Sequence, residues 1–300
     1  MVMRITEGIR YQTTLANIRA ARNGTGDVTE QLATGKRINH PSDDPAGIER
    51  LFEWDAARNE ITQYQSRISS TDPWLRTTDL VLGRVAELVG QAADLASGSV
   101  SSDQGSRESA VELLTTIQDE LLGLANEKCD DRYLFAGTQA DETAFSVTTD
   151  AFGHETVHYD GNDEALTVAV GRQSTVEYST TGTDAFFQGG KCVFQVLTDL
   201  TTALESGDAA AISQAGSDLK AFQTQILQAQ SINGIRQDRL ESAAAYLTDL
   251  DAKLADLVDK TATADPAELA ARFSQQEVAL EASYSLASRV GRLSILDFLK

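Results

Sequence analysis

From Leu219 a seven-residue apolar pattern runs without a slip: Leu219, Ile226, Asn233, Leu240, Leu247 and Leu254 hold one register, and Phe222, Ala229, Arg236, Ala243, Leu250 and Leu257 the other. Alternating steps of three and four, sustained over this span, mark the seam of a coiled coil. About 50 helical residues at 1.5 Å each reach roughly 75 Å, so a rod is expected rather than a globule. Only Asn233 and Arg236 are polar among these positions. Such residues either set the register of a seam or mark where the partner helix ends.

The rest of the chain reads as further helices around one β-type stretch. Asp265-Pro266-Ala267-Glu268 has the form of a helix start, an N-cap acid followed by proline in the first turn and a carboxylate three positions on. A terminal helix is expected from there, with Ala279, Ala282, Leu286, Val290, Leu293 and Leu296 on one stripe. Near the other end Ile5, Ile9, Leu15, Ile18 and Leu32 make a thinner one. Neither end carries enough large apolar side chains to hold an isolated helix in water. Asp72-Pro73 is expected to start another helix, striped by Leu75, Leu82, Val85, Val89, Ala92 and Ala96, before a loop from Ser97 to Ser106. Val111, Leu114, Ile117, Leu121 and Leu124 then predict the returning helix. Between Phe145 and Tyr178 the alternation is of strand type, with Asp160-Gly161-Asn162-Asp163 expected to be a hairpin turn between 156–159 and 166–171. The fold class expected is mainly α, a long antiparallel helical bundle or coiled coil with a small β-rich insert.

Charge narrows the function. The 25 Lys and Arg against 45 Asp and Glu leave a net charge of −20, the reverse of a nucleic-acid footprint. Residues 1–40 carry six basic and three acidic side chains and residues 266–300 four of each, so the acidic surplus lies wholly between them. Ends that differ from the middle in this way suit packing against something while the middle faces water. No run of about 18 apolar residues is present to span a bilayer, and the N-terminus lacks the apolar core of a secretory signal. Cys129 and Cys192 lie far apart and are expected to be packed free thiols.

Tests for chemistry fail. His154 and His158 would share a helix face, but in a strand-type run their spacing puts them about 13 Å apart, too far to share a metal. Asp160 opens a segment like a calcium loop, yet Ala165 stands where glycine is required and Gly171 where the bidentate glutamate belongs. No phosphate loop or nucleophile elbow is present. The expectation is a protein without catalytic, cofactor or metal residues.

The most specific segment is Gln31-Leu32-Ala33-Thr34-Gly35-Lys36-Arg37-Ile38-Asn39-His40-Pro41-Ser42-Asp43-Asp44-Pro45-Ala46-Gly47. It resembles the N-terminal signature of the bacterial flagellin superfamily, and Ala279-Leu280-Glu281-Ala282-Ser283-Tyr284 through Leu299 resembles the C-terminal one. Arg132-Tyr133-Leu134-Phe135-Ala136-Gly137-Thr138, after a helix, resembles the hook-associated branch rather than filament flagellins, and the start Met3-Arg4-Ile5-Thr6 makes Met3 a candidate native start. Within the signature, Asp43 and Asp44 suit the capping of a helix begun by Pro45, and Gly35 suits a helix stop.

The resemblance implies a structural protein with terminal segments packed as an antiparallel coiled coil in a tubular assembly. It implies flagellin and hook-associated protein 1 as partners, self-association in a ring layer, a dedicated chaperone, type III export and an extracellular place at the junction of hook and filament. The expected organisation is 1–40 as an assembly segment, 41–140 and 191–262 as rod, 141–190 as β-rich insert and 263–300 as the C-terminal assembly helix. Assembly contacts are expected from Leu15, Leu32, Ile38, Leu280, Leu286, Val290, Leu293 and Leu296. Gly35, Asn39, Asp43, Asp44, Pro45, Tyr133, Phe135 and Gly137 are the signature positions. Rival readings are a short filament flagellin and an intracellular helical signalling rod.

Overall fold

The computed structural model describes residues 2–149 and 155–298, with side chains described at 9, 12–149 and 156–289. The elements begin with α1 (Val2–Thr34), α2 (Pro45–Ser99), α3 (Gln104–Ala125), β1 (Lys128–Cys129), β2 (Arg132–Tyr133), β3 (Phe145–Thr149) and β4 (Glu155–Tyr159). There follow β5 (Thr167–Gly171), β6 (Ser174–Glu177), α4 (Gly182–Phe186), β7 (Phe187–Gln188), β8 (Lys191–Cys192), α5 (Val193–Ser206), α6 (Ala209–Ala262) and α7 (Pro266–Phe298). Each strand pairs antiparallel with its sequence neighbour, giving four two-stranded sheets among the described residues. The fold class is mainly α. Two compact units divide the chain, residues 1–60 with 249–300, and residues 61–248.

In the 61–248 unit the heptad register of α6 is buried against α2, with Leu219, Ile226, Asn233, Leu240 and Leu247 all inside. The two helices run antiparallel: Asn233 Nδ2 donates to Leu75 O at 2.9 Å, Gln230 Nε2 to Asp79 O at 3.4 Å and Gln223 Nε2 to Ala86 O at 3.2 Å. Gly90 makes room for this, since a Cβ there would lie 2.4 Å from Gln223 Nε2. Gly83 and Gly90, seven apart on α2, thus face Gln230 and Gln223, seven apart on α6. Asn233 is a register-setting residue, as one of the two alternatives had it. Arg236 lies on the same helix but turns to the β region, where Nη1 donates to Ser179 O at 2.8 Å.

The expected helix start at Asp72-Pro73 does not occur: α2 runs through Pro73, and Asp72 pairs with Arg76 at 2.6 Å instead. The burial stripe explains it. Ile61, Ile68, Thr71, Leu75, Thr78, Leu82, Val85 and Val89 continue at helical spacing through the proline, and that burial offsets the roughly 3 kcal/mol an interior proline costs. Ser70 and Thr71 hydroxyls also donate to Arg67 O and Ile68 O in the turn before it. The expected Ser97–Ser106 loop shrinks to residues 100–103, because Asp103 caps α3 by accepting from Ser106 N.

The few aromatic side chains are concentrated rather than spread. Phe135, Phe145, Phe186 and Phe194 are buried with ring centroids 5.1–6.0 Å apart, so the β region shares its core with α5. The predicted hairpin turn is a second correction. β4 pairs with β3, β5 pairs with β6, and residues 160–166 join two different sheets. Asn162 is occupied elsewhere: its Oδ1 accepts from Thr138 N at 2.9 Å and its Nδ2 donates to Thr138 Oγ1 at 2.7 Å. Tyr159 Oη reaches Asn162 O at 2.8 Å and Phe135 O at 3.0 Å, donating its single proton to one at a time. Burial pushes this phenol up to about 12, so it stays a donor. Cys129 is buried, Cys192 half-buried, and both are free thiols, as expected.

In the other unit α1 and α7 lie antiparallel, with Val28 packed on Ala264, Leu269 and Phe273 and Gly24 facing Gln276. The helix start at Asp265 is as expected, its Oδ1 accepting from Ala267 N at 2.8 Å. The inward face of α1 is thin: Thr14, Ile18, Ala21, Thr25 and Val28 line it, and only Thr14 and Val28 are fully buried among its described side chains.

Candidate assembly surface

The signature segment builds the corner between α1 and α2. Gly35 ends α1 with φ +68°, the left-handed conformation that glycine adopts without cost. Pro45 opens α2, and Asp44 caps it, its Oδ1 accepting from Gly47 N at 2.9 Å. Both local expectations for the signature hold. Asp43 has a different task from the one expected of it, since its Oδ2 accepts from Asn39 N at 3.0 Å and His40 N at 2.9 Å and folds the loop on itself. Ile38 is buried at 5% exposure. Gly47 is buried beside it, because a Cβ there would sit 2.7 Å from Ile38 Cδ1.

Arg37 was not among the residues singled out from sequence, and it holds the corner to α6. Its backbone N donates to Ala262 O at 2.6 Å, while Nε and Nη2 both reach Thr261 O, at 3.2 and 3.1 Å. These are C-terminal carbonyls of α6, left without intrahelical partners, and a guanidinium satisfies them and opposes the helix dipole. Nη2 also meets Asp44 Oδ2 at 3.2 Å. The signal available in the sequence was an arginine two residues after a helix-ending glycine.

The Gly47 amide first, and Arg37 second, hold the Asp44 carboxyl below its ordinary 3.8. The His40 and Asn39 amides do the same for Asp43. Carboxylates with lowered folded values contribute stability above the ordinary value and lose it as pH falls through the folded ones. The amide resonances of Asn39, His40 and Gly47 are therefore expected to shift together on acidification below pH 3.8, and Asp43→Asn should remove the transition from Asn39 and His40 while sparing Gly47. Resonances unmoved down to full carboxylate protonation would contradict the assignment.

Around this corner the apolar side chains proposed for assembly divide. Leu280 is half-buried on the face of α7 that also carries Phe273 and Gln276, whereas Leu286 is 50% exposed, beside exposed Ala279 and Ala282. Val278 and Tyr284 are exposed too. On α1, Leu15 is half-buried, Leu32 is 41% exposed and Ile9 is 57% exposed. The side chains of Val290, Leu293 and Leu296, like that of Ile5, lie outside the described residues, as do Met1 and His154. The remaining signature positions belong to the other unit: Phe135 is in the aromatic core, Tyr133 packs under Lys128 at 4.2 Å, and Gly137 is buried with φ +67°.

No group of His, Cys, Asp and Glu among the described residues could hold a metal ion, and no described helix is long and apolar enough to cross a membrane. His158 donates to or accepts from Thr148 Oγ1 at 2.9 Å on the exposed side of β4. A groove of about 640 Å³ between α2 and α3 has Leu88, Leu95, Ala110 and Ile117 along it. Its one cation, Arg84, is held by Glu87 and Glu120, and neither a histidine nor a cysteine lines it.

The family model for the bacterial flagellin N-terminal helical region matches residues 5–140. The chain is a member of the flagellin superfamily. Within that superfamily it is similar to flagellar hook-associated protein 3 of Escherichia coli strain K12, 24% identical over an alignment covering 99% of this chain and all of the relative. The protein of the same name from Salmonella typhimurium is 26% identical over 61% of this chain, and the match spans 57% of that relative's length. The crystal structure of flagellar hook-associated protein 3 from Legionella pneumophila shares the fold, with a TM-score of 0.62 over 70% of this chain and 98% of that one at 14% identity. The superfamily is one of structural flagellar proteins.

Proposed function

We propose that this flagellin-superfamily chain is a junction subunit of the bacterial flagellum, joining hook-associated protein 1 at the hook tip to the flagellin filament. The observation that carries the reading is likeness to hook-associated protein 3 along the whole length, 99% of this chain against 100% of the relative. The thin α1 and α7 faces support the mechanism. They leave Ile9, Leu32, Val278 and Leu286 open, and side chains of this kind complete a seam when neighbouring subunits in a ring layer cover them. Ordering of the ends is thus coupled to assembly. Residues 1–40 and 263–300 are the assembly segments, 41–140 and 191–262 the rod, and 141–190 the outward β-rich part. Passage to the cell exterior is by the flagellar type III apparatus with a chaperone and without a cleaved signal, and the subunit catalyses nothing.

Deletion of the gene followed by electron microscopy of the cell surface tests this. Hooks without filaments, with flagellin shed into the medium, are expected, and re-expression of the chain should restore filaments. Hooks without shed flagellin would instead make the chain the filament subunit itself. Normal hooks and filaments would overturn both readings.

A further inference from the structure

Two chain crossings lie side by side where the α1–α7 pair meets the facing ends of α2 and α6, and they are bonded to each other. Lys36 and Thr263 form an antiparallel bridge, Arg37 N donates to Ala262 O, and Ala264 N donates back to Gly35 O at 3.0 Å. One crossing runs from Gly35 to Asp44 and the other from Thr263 to Asp265, so neither can bend without the other. Charge alternates along the contact: the carbonyl end of α6, the Arg37 guanidinium, the Asp44 carboxylate and the amide end of α2. Each neighbour satisfies the next, which is the order that helix dipoles favour. Gln31 Nε2 adds a bond from α1 to Arg37 O at 2.9 Å.

We propose that the paired crossings form a hinge and that Arg37 is its clasp, a positioning residue that fixes the direction of the α1–α7 arm in the free subunit. Arg37 is suited to this because it alone bonds to three parts at once: the end of α6 through Thr261 and Ala262, the start of α2 through Asp44, and α1 through Gln31. The burial beneath it is small. Ile38 on one crossing and Ala264 with Leu269 on the other are the buried side chains there, so polar bonds rather than a core decide the angle. Hinges of this kind are a few element-terminal residues that absorb backbone rotation while the helices on either side stay intact. The Arg37 fork matters, since lysine offers one donor head where two separate acceptors, Thr261 O and Asp44 Oδ2, must be met.

The test uses the purified full chain and does not depend on the assembly reading. Spin labels at Arg22→Cys on α1 and Asp55→Cys on α2, both exposed positions, with Cys129→Ala and Cys192→Ala, report the arm's direction as a distance distribution. A single narrow distribution is expected with Arg37 present. Arg37→Ala should broaden it and raise exchange at the Ala264 amide roughly tenfold or more, the effect of losing charge-assisted bonds at one site, while exchange at Leu75 and Leu82 in the other unit stays unchanged. Arg37→Lys should fall between the two. An unchanged distribution and unchanged Ala264 exchange in Arg37→Ala would overturn the proposal. Should that variant unfold globally, Asp44→Asn decides, because its amide oxygen still caps Gly47 while the partner charge of Arg37 is gone: broadening supports the clasp, and a wild-type distribution overturns it.

Discussion

Replacing Gly137 by alanine is expected to cost about 3 kcal/mol, and replacing Gly35 by alanine only about 1 kcal/mol, although the two glycines have nearly the same φ, +67° and +68°. The conformational part is shared, since an L-residue in the left-handed region pays roughly 1 kcal/mol or more. The difference is space. A Cβ at Gly137 would lie 2.3 Å from Asn162 O and 2.2 Å from Asn162 Oδ1, whereas at Gly35 nothing lies within 4 Å. Moving Asn162 would strain its bonds to Thr138 and pull on Tyr159, which packs on Phe145. Urea denaturation followed by near-ultraviolet circular dichroism measures the first variant through the aromatic core. Local amide exchange at Ala264 measures the second. Equal costs would show that the Asn162 contact yields freely and that the left-handed backbone alone matters.

Gly137 also shows what could be read in advance. Its place in Arg132–Thr138 was recognisable as a signature, but not the reason, because the residue that presses on it is distant in the chain and looked like part of a hairpin. Asp160-Gly161-Asn162-Asp163 has the composition of a two-strand turn, and only the pairing of β4 with β3 shows that Asn162 serves the Thr138 backbone instead. The heptads of α6 were legible because burial along a helix is periodic, and Leu219 to Leu247 are buried as the pattern requires. The partner was not, since Gly83 and Gly90 carry no hydrophobic signal and work by absence, receiving Gln230 and Gln223. Pro73 misled for the opposite reason: a local rule was strong, and the stripe from Ile68 to Val89 that overrides it acts only once α6 is in place. At the corner, Gly35, Asp44 and Pro45 obey local capping chemistry and could be placed from sequence. Arg37 could not, because its acceptors at Thr261 and Ala262 are contributed by the far end of the chain.

Aspartate at Leu32 and Leu286 together should abolish retention of flagellin at the hook tip while leaving the subunit folded and exported. In the free subunit both side chains are largely in water, Leu32 at 41% and Leu286 at 50% exposure, so each change costs about 0.5 kcal/mol of helix propensity and little else. On assembly the balance inverts. An unpaired carboxylate covered by a neighbour's apolar face costs several kcal/mol, enough to remove a marginal contact repeated around a ring. Val147→Asp is the matched control, since Val147 on β3 is 40% exposed, as open as Leu32, but belongs to the β region assigned to the outside. Helicity and secreted amounts of all three proteins must match before retention is compared, because a misfolded subunit would mimic lost assembly. Hooks bearing normal filaments in the Leu32 and Leu286 double variant, with filaments lost in Val147→Asp, would reverse the assignment: the lattice contact would then lie on the β side, and the open apolar face of α1 and α7 would need another occupant.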